Sequence, residues 1–309
     1  MRYLNERYKL DNGMLFEALT TKDEEGIIEK NYNKVLDFYD FTKDNNIPFM
    51  YIKFPDLTSN KNYKALPSIN DFRDYDESIY SKMLTEKGIN YISFDYIAED
   101  GDLNKQFFKT DHHWLPELAF TAFIETTKIL KSDFDVSIDE NVVNINNYNI
   151  DVYNNIFLGA HGRRTGYVYS GFDDISLIYP KFETYFTGEL NQKPVSGDYY
   201  DVFFCLDHLS TDDIYNKSAY DVYGDRLMSM NIINGAAPNK FKLMLIHDSY
   251  TRPEACFLAT AVHNLITVDV RYMQKAGKSL KDYVAEIKPN LIIMQYNANI
   301  RKPIMFDFE

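Results

Sequence analysis

Short apolar runs alternate along this chain with amphipathic stretches of helical period, and this alternation constrains the fold more than any other feature. The apolar runs lie at residues 48–54, 90–94, 242–246, 265–270 and 291–294. Helical patterns lie around Val35, Phe38 and Phe41, around Ile79, Met83 and Leu84, and at residues 118–130, 255–262 and 280–287. Strands that alternate with helices are typical of parallel sheets. We therefore predict an α/β fold with a flavodoxin-like parallel sheet of about five strands flanked by helices.

Residues 132–239 do not continue this rhythm. They are rich in Asn, Asp, Tyr and Gly, and they contain short alternating patterns such as residues 166–170. No repeat or low-complexity linker separates them from the rest of the chain. We therefore predict a single domain, residues 1–309, with an irregular antiparallel lobe inserted at residues 132–239.

The composition narrows the class of partner. A chain of 309 residues that is 45% hydrophobic can bury a substantial core. Its net charge of −13 opposes binding to a phosphate backbone, so nucleic acid is excluded as a partner. The same charge favours a neutral or weakly charged polysaccharide over a densely anionic one, unless Lys and Arg gather at a cleft.

Cysteine usage and the start of the chain add two expectations. Cys205 and Cys256 are too few, and too far apart, to indicate a disulfide framework or a zinc site. The first residues contain no apolar stretch, so neither a signal peptide nor a membrane anchor is visible in this chain.

Two distant fragments together supply an acid, an imidazole and a hydroxyl. Asp111 and His113 lie two residues apart before a predicted helix, and Ser249 follows the apolar run 243–246. A serine hydroxyl is a weak nucleophile that needs an adjacent base, and the base needs a group that fixes its tautomer. In this hypothesis Ser249 is the nucleophile, His113 the base and Asp111 the residue that orients the base.

The local sequence around each fragment suits that hypothesis. Pro116 and Glu117 favour a helix start just after His113. Ser249 lies between a strand and a helix, a turn that places backbone N–H groups of Ser249 or Tyr250 near a developing oxyanion. Arg271 and Tyr296 also follow predicted strands, and the carboxyl ends of parallel strands meet at one edge of the sheet.

Two other interpretations remain open from the residues alone. Asp111, His112 and His113 carry ordinary metal ligands, as in one class of metal-dependent phosphoesterase, although no companion aspartate motif occurs early in the chain. Alternatively, the Asp248 and Ser249 pair is a helix cap, and His113 and Trp114 are structural residues.

A family resemblance covers most of the chain from about Ile47 to Asn297. Residues 108–114 resemble the signature of the DHHW protein family, a relative of the alginate acetylation proteins AlgJ and AlgX. Further blocks resemble that family in its order: residues 71–76, 162–166, 173–174, 179–184, 248–250 and 268–272. The resemblance implies an SGNH-hydrolase-like domain in which the Asp-x-His pair precedes the serine.

Roles for individual residues follow from the resemblance. It makes Ser249 the nucleophile, His113 the base and Asp111 its orienter, with no metal and no cofactor. It also implies an arginine and a tyrosine at the site, for which the nearest matches are Arg271 and Tyr296. Less direct candidates for substrate binding or the oxyanion hole are Tyr250, Asn297, Asn70 and Arg164. His247 stands where SGNH sequences carry a glycine.

The resemblance also implies a biological setting. The expected activity is that of an O-acetyltransferase or acetylesterase acting on a bacterial cell-surface or exported polysaccharide. A membrane-bound O-acyltransferase is the expected acyl-donor partner, and the full-length protein is expected outside the cytoplasmic membrane with an N-terminal segment that this sequence lacks. The alternatives are a catalytically silent carbohydrate-binding relative and, less favoured, a metal-dependent phosphoesterase.

Overall fold

The structure, a computed structural model, describes residues 3–64, 69–273, 277, 279–297 and 300–308. The strands are Tyr3–Leu4 (β1), Arg7–Lys9 (β2), Leu15–Phe16 (β3), Phe49–Lys53 (β4), Asn90–Ser93 (β5), Tyr148–Phe157 (β6), Asp173–Pro180 (β7), Phe186–Leu190 (β8), Lys193–Gly197 (β9), Ser229–Asn234 (β10), Lys242–His247 (β11), Asn264–Val268 (β12) and Leu291–Tyr296 (β13). The helices are Ile27–Asp44 (α1), Arg73–Glu86 (α2), Pro116–Phe134 (α3), Ala160–Thr165 (α4), Tyr167–Ser170 (α5), Tyr199–Phe203 (α6), Thr251–Ala261 (α7), Val270–Met273 (α8) and Leu280–Ile287 (α9). Short 3₁₀ turns lie at Leu57–Ser59, Asp95–Ile97, Leu103–Lys105, Ile145–Asn147, Leu206–Leu209, Ala219–Val222 and Pro303–Phe306.

A central sheet organises the molecule, and in the described part of the chain it has eight strands in the order β5-β4-β13-β11-β12-β10-β8-β9. The pairs from β5 to β12 are parallel. These strands are the five apolar runs of the sequence, so the predicted α/β fold class is confirmed. The pairs β12-β10, β10-β8 and β8-β9 are antiparallel and extend the sheet beyond the predicted strands.

Helices cover both faces of the parallel part. Successive strand residues point to opposite faces, so Leu243 and Leu245 of β11 join one hydrophobic cluster while Met244 and Ile246 join the other. The first cluster includes residues of α3 and α7, and the second includes residues of α1, α2 and α9. The helices predicted from 3.6-residue periodicity are therefore the ones that bury the two sides of the sheet.

Residues 132–239 are less irregular than we expected. β6 and β7 form an antiparallel pair of their own, whereas β8, β9 and β10 belong to the central sheet. Residues 166–170, whose alternation suggested a strand, contain the short helix α5. Gly166 and Gly171 flank this helix with φ of 84° and 73°, and such left-handed turns interrupt extended backbone.

The N-terminal strands β1, β2 and β3 form a small antiparallel sheet. Its last strand is tied to the loop that carries Asp111, because the N–H of Leu15 donates to the carbonyl of Lys109 at 2.8 Å. Among the described residues, no helix combines the length and the apolar character needed to cross a bilayer.

Candidate active site

Asp111 and His113 are brought together by a tight loop just before α3. The main chain closes this loop through a bridge between Phe107 and Trp114. Asp111 Oδ1 accepts from the N–H of His113 at 3.0 Å and lies 2.5 Å from its ring Nδ1. Both residues are buried, whereas the side chain of His112 is 44% exposed. The two-residue spacing thus joins the carboxylate of Asp111 to His113, the second of the two adjacent histidines.

Ser249 reaches the other edge of the same imidazole. Its Oγ lies 2.8 Å from Nε2 of His113. The turn between β11 and α7 is fixed by the neighbouring Asp248, whose carboxylate accepts from the N–H of Tyr250 at 2.9 Å and from that of Asn297 at 3.0 Å. The end of β13 therefore holds the serine turn in place.

Residues of the segment 132–239 complete the surroundings of Asp111. The N–H of Ala160 donates to Asp111 Oδ2 at 2.5 Å, and the N–H of Gly159 donates to Thr110 Oγ1 at 2.8 Å. A Cβ built on Gly159 would lie 2.3 Å from Cβ of Asp111, so glycine permits this approach. Asp173 secures the same loop by accepting from the N–H and hydroxyl of Thr110, at 2.8 and 2.6 Å. Sequence reasoning missed these contacts: residues 173–174 stand out only as a block that resembles the family, and Gly159 is an isolated glycine.

The electrostatics suit a carboxylate that orients a neutral base. Burial raises the pKa of Asp111, but His112, His113 and the N–H of Ala160 outweigh burial and hold the pKa well below its ordinary value. Burial lowers the pKa of His113, and His112 lowers it further, while Asp111 acts in the opposite direction. The imidazole is therefore neutral near pH 7 and has a lone pair available for a serine proton.

A cavity of about 450 Å³ opens beside these residues. It is lined by Arg7, Leu15, Phe16, Glu17, Ala18, Leu19, Asp56, Leu57, Arg73, Phe108, Asp111, His112, Ala160, His161, Arg164, Tyr250, Asn297, Arg301 and Lys302. The N-terminal sheet, the end of β13 and helix α4 thus share its wall. This volume lies in the range of small-ligand sites in proteins.

Cations predominate in that wall, although the chain as a whole is acidic. Arg73 pairs with Asp71 at 2.6 Å and Asp56 at 3.4 Å. Arg164 is 57% exposed, and its nearest carboxylate, that of Glu6, lies 3.8 Å away. Arg301 donates to Asp76 through Nε at 2.5 Å, and its Nη2, which has no hydrogen-bond partner among the described residues, is fully buried. The exposed Arg164 and Lys302 are therefore the cations left to meet a ligand. The cavity therefore retains capacity to bind an anion.

Two of the predicted site residues are held by partners outside the triad. Tyr296 is buried in the hydrophobic cluster of α1, α2 and α9, and its hydroxyl donates to the carbonyl of Met305 at 2.5 Å. Arg271 forms an ion pair with Asp269, to which its Nε donates at 2.8 Å. Neither residue lines the cavity, although Ser249 and His113 are not among its lining residues either. Tyr296 is a core aromatic, and Arg271 is held by its own ion pair.

Three of the less direct candidates lie at the cavity. Tyr250, Asn297 and Arg164 all line it. The N–H of Tyr250 is engaged with Asp248, so it is not the oxyanion donor that the sequence suggested. The N–H of Ser249 has no acceptor among the described residues, which leaves it available for an oxyanion. Asn70 is exposed and does not line the cavity.

The histidine before Asp248 is compatible with the turn. His247 is buried, and its ring Nδ1 lies 2.8 Å from the carbonyl oxygen of Asp248. It is not among the residues with positive φ, so this position does not require the glycine of SGNH sequences.

Within the part of the chain that the structure describes, two groups of side chains have donor atoms close enough for a metal ion. In the first, ligand atoms of Asp111, His112 and His113 lie within 4.8 Å of one another. Both ring nitrogens of His113 are engaged, so a metal there would displace Asp111 or Ser249 from the ring. The second group is Cys205, His208 and Asp225, in which His208 Nε2 and Asp225 Oδ1 are 2.8 Å apart.

Comparisons with known proteins identify relatives by fold. No known family profile matches the sequence, and no curated protein matches it. Bacillus cereus PatB1, in a structure with a sulfonyl adduct, superposes with a TM-score of 0.76 at 17% identity, over 99% of this chain and 100% of PatB1. A DHHW family protein from Eubacterium siraeum gives a TM-score of 0.69 at 15% identity, over 98% of this chain and 95% of that protein. The fold is that of the DHHW proteins.

A third structural relative is an acetyltransferase domain. The O-acetyltransferase domain of Pseudomonas putida AlgJ superposes with a TM-score of 0.59 at 12% identity, over 97% of this chain and 92% of the domain. The resemblance predicted from the sequence, and the SGNH-like fold that it implied, are therefore confirmed. At these identities the likeness establishes the fold, and the chemistry has to be argued from the side chains of this chain.

Proposed function

We propose that this protein is a serine-dependent acyl-transfer enzyme that acts on a carbohydrate, with Ser249 as nucleophile, His113 as general base and Asp111 as the residue that orients the base. The observation that carries this proposal is the continuous hydrogen-bonded series from Ser249 Oγ to His113 Nε2 at 2.8 Å and from His113 Nδ1 to Asp111 at 2.5 Å. One structural relative, the domain of AlgJ, is named as an O-acetyltransferase, which supports the same class of reaction.

In the first half of the proposed reaction, Ser249 Oγ bonds to the carbonyl carbon of an acyl donor while His113 Nε2 takes the hydroxyl proton. The carbonyl electron pair moves onto its oxygen, where the N–H of Ser249 and the side-chain amide of Asn297 are the proposed donors. Collapse of this intermediate releases the donor's alcohol, which takes the proton from His113. An acyl ester of Ser249 remains.

In the second half, a carbohydrate hydroxyl gives its proton to His113 and attacks the acyl carbon. Ser249 Oγ leaves and recovers the proton from His113, and the acyl group stays on the carbohydrate. Water in place of the carbohydrate gives hydrolysis by the same steps, so transferase and esterase activities differ only in the acceptor.

The cavity indicates the class of acceptor. Its volume of about 450 Å³ is large enough for a sugar unit, and its wall carries Arg164, Arg301 and Lys302. Overall charge alone favours a neutral polysaccharide, but cations are gathered at the cleft. We therefore propose an acceptor that carries a carboxylate, bound by charge-assisted hydrogen bonds.

The biological setting is proposed by analogy. A polysaccharide of the bacterial surface or an exported polysaccharide fits the proposed acceptor class. An acyl donor delivered by a membrane-bound O-acyltransferase, and a location outside the cytoplasmic membrane, follow the alginate system and rest on the likeness to AlgJ.

The decisive experiment measures acetate release from a chromogenic acetyl ester by the wild-type protein and by Ser249→Ala and His113→Ala, each with and without a chelator. Each variant is expected to lose about 10³-fold or more of a chelator-insensitive rate. Ser78→Ala, an exposed serine on α2, is the matched control and keeps the rate.

A second readout is covalent. PatB1 has been solved with a sulfonyl adduct, and an activated serine reacts with sulfonyl fluorides. We expect one adduct on Ser249 by mass spectrometry, abolished in His113→Ala. An unchanged esterase rate in Ser249→Ala would refute the proposed nucleophile. Loss of the rate on chelation would instead favour a metal-dependent hydrolase, and binding of glycans without turnover would favour a carbohydrate-binding protein.

A further inference from the structure

Tyr220 covers one face of the proposed base. Its ring is fully buried and stacks on the imidazole of His113, with centroids 4.1 Å apart and planes inclined by 20°. The ring of Tyr250 lies 5.1 Å from the same imidazole at 44°. His113 is thus held among aromatic rings, and the most nearly parallel of these contacts comes from the inserted segment, residues 132–239.

The position of Tyr220 is fixed by a hydrogen bond to the backbone that follows the nucleophile. Its hydroxyl donates to the carbonyl of Tyr250 at 3.1 Å, and Trp114 Nε1 donates to the same carbonyl at 2.9 Å. A single carbonyl next to Ser249 therefore anchors both the residue stacked on His113 and the residue that follows His113 in the chain.

An ion pair at the next residue reinforces this arrangement. Asp221 pairs with Arg252, in the first turn of α7, and also accepts from Nε of Arg226 at 3.1 Å. The guanidinium of Arg252 lies 6.0 Å from the centre of the Tyr220 ring. The segment that carries Tyr220 is therefore fastened to the same helix that Ser249 precedes.

We propose that Tyr220 is a positioning residue that fixes the ring plane of His113, so that the inserted segment completes the active site. This inference rests on the proposed function of the triad. The imidazole must hold Asp111 at one nitrogen and Ser249 at the other, and rotation of the ring breaks both bonds. A ring stacked flat against its face opposes that rotation and keeps water away from the base.

A purely structural role would predict something different. Tyr223 is also a fully buried tyrosine of the inserted segment, and its hydroxyl donates to the carbonyl of Ser176 at 2.7 Å. Its ring packs against Phe204 and Phe257 rather than against His113. Tyr223→Ala therefore removes a comparable buried side chain without exposing the imidazole of His113, which makes it a matched control.

The test compares Tyr220→Phe, Tyr220→Leu, Tyr220→Ala and Tyr223→Ala with the wild-type protein. For each folded variant, kcat and KM for the acetyl ester are measured across pH, and the ring of His113 is titrated by NMR. Tyr220→Phe keeps the stack and is expected to stay within a few-fold of wild type. Tyr220→Ala is expected to lose about 10²-fold in kcat with little change in KM.

The titration separates positioning from stability. Asp111, His112 and Arg252 act on the charge of His113 in every variant, whereas the aromatic ring that buries its face is lost only in Tyr220→Leu and Tyr220→Ala. Tyr220→Ala should therefore move the acid limb of kcat/KM, and the NMR titration of His113, to higher pH. Tyr223→Ala should lower the folded fraction and leave both curves in place.

Several outcomes would overturn the inference. Equal shifts in Tyr220→Ala and Tyr223→Ala, or none in either, would reduce Tyr220 to a packing residue. If Tyr220→Ala does not fold, Tyr220→Leu supplies the kinetic comparison, and wild-type kcat in that variant would contradict the proposal. If the wild-type rate equals that of Ser249→Ala, the proposed function fails, and the NMR titration still decides whether Tyr220 shields His113.

Discussion

At the scale of single residues, Gly159 allows the segment 132–239 to approach Asp111 closely. A Cβ at this position would lie 2.3 Å from Cβ of Asp111 and 2.5 Å from the carbonyl oxygen of Thr110. Gly159→Ala must therefore push Asp111 away from His113. We expect kcat/KM to fall by about 10²-fold, with a loss of about 1–3 kcal/mol in the free energy of unfolding.

The matched control for this substitution is Gly235→Ala. Gly235 is exposed, and a Cβ added there would have no heavy atom within 4 Å apart from its own chain neighbours. Gly235→Ala should therefore leave both the rate of ester hydrolysis and the free energy of urea unfolding unchanged. A Gly159→Ala variant with wild-type kinetics would mean that the Asp111 loop can shift without harm.

The charge state of His113 gives a second prediction at this scale. Because burial and His112 lower the pKa of His113, the base stays neutral in moderately acidic solution. The acid limb of kcat/KM should lie below the ordinary imidazole pKa of 6.5. In His112→Asn one of the groups that lower this pKa is gone, so the limb should move to higher pH. A limb at or above 6.5 in the wild-type protein would contradict the burial argument.

Individual residues also mark what could be read from the sequence. Asp111, His113 and Ser249 could be proposed because their roles require only a short spacing and a strand-to-helix turn. Tyr296 could not be placed, since a strand end fixes the edge of the sheet but not the face, and neighbouring residues alternate between faces. Tyr220, Gly159 and Ala160 reach the triad through tertiary contacts that leave no local pattern.

At the scale of secondary structure elements, a buried carboxyl joins α3, α7 and β13. Glu254 of α7 accepts from the hydroxyl of Thr126 on α3 at 2.7 Å and from Gln295 on β13 at 3.2 Å. Burial raises the pKa of Glu254 to about 8, against an ordinary value of 4.5. The carboxyl is therefore protonated in the folded protein near neutral pH.

This raised pKa couples stability to pH. The folded state holds a proton that the unfolded chain releases, so the contribution is fully present below pH 4.5 and is lost as the pH rises through about 8. Between about pH 5 and 9 the free energy of unfolding should fall by on the order of 4 kcal/mol. Glu254→Gln cannot titrate and should lose this slope, as urea unfolding at several pH values would reveal. A variant with the same slope as wild type would assign the dependence to other groups.

The elements themselves were largely predictable. The five parallel strands and the helices between them follow directly from apolar runs and 3.6-residue periodicity, because both signals reflect burial on a sheet. Strands β8, β9 and β10 escaped detection, since they are antiparallel and carry polar residues on one side. The alternation at residues 166–170 predicted a strand that does not form. Val168 is 89% exposed, so its apolar side chain does not mark a buried position.

At the scale of the whole molecule, the distribution of charge matters more than its sum. The chain carries a net charge of −13, yet Arg7, Arg73, Arg164, Arg301 and Lys302 line the cavity beside the triad. An acidic surface repels anionic polymers in general, while the cavity attracts an anion in one place. This arrangement favours recognition of a single anionic group within a substrate over adhesion to polyanions.

Salt therefore tests the proposed acceptor class. Raising the ionic strength from about 0.15 M to 1 M shortens the screening length from about 8 Å to 3 Å. Binding of a carboxylate-bearing oligosaccharide should weaken over this range, whereas binding of its neutral, reduced counterpart should not.

Arg164→Gln should reduce the affinity for the charged ligand by about 2- to 5-fold, the range for exposed ion pairs. Arg163→Gln is the matched control, since Arg163 donates to the carbonyls of Leu158 and Lys217 at 3.3 Å and does not line the cavity. Both affinities are measured by calorimetry at the two salt concentrations. Equal affinity for the charged and neutral ligands would contradict a carboxylate-bearing acceptor and would favour the neutral polysaccharide that the overall charge suggests.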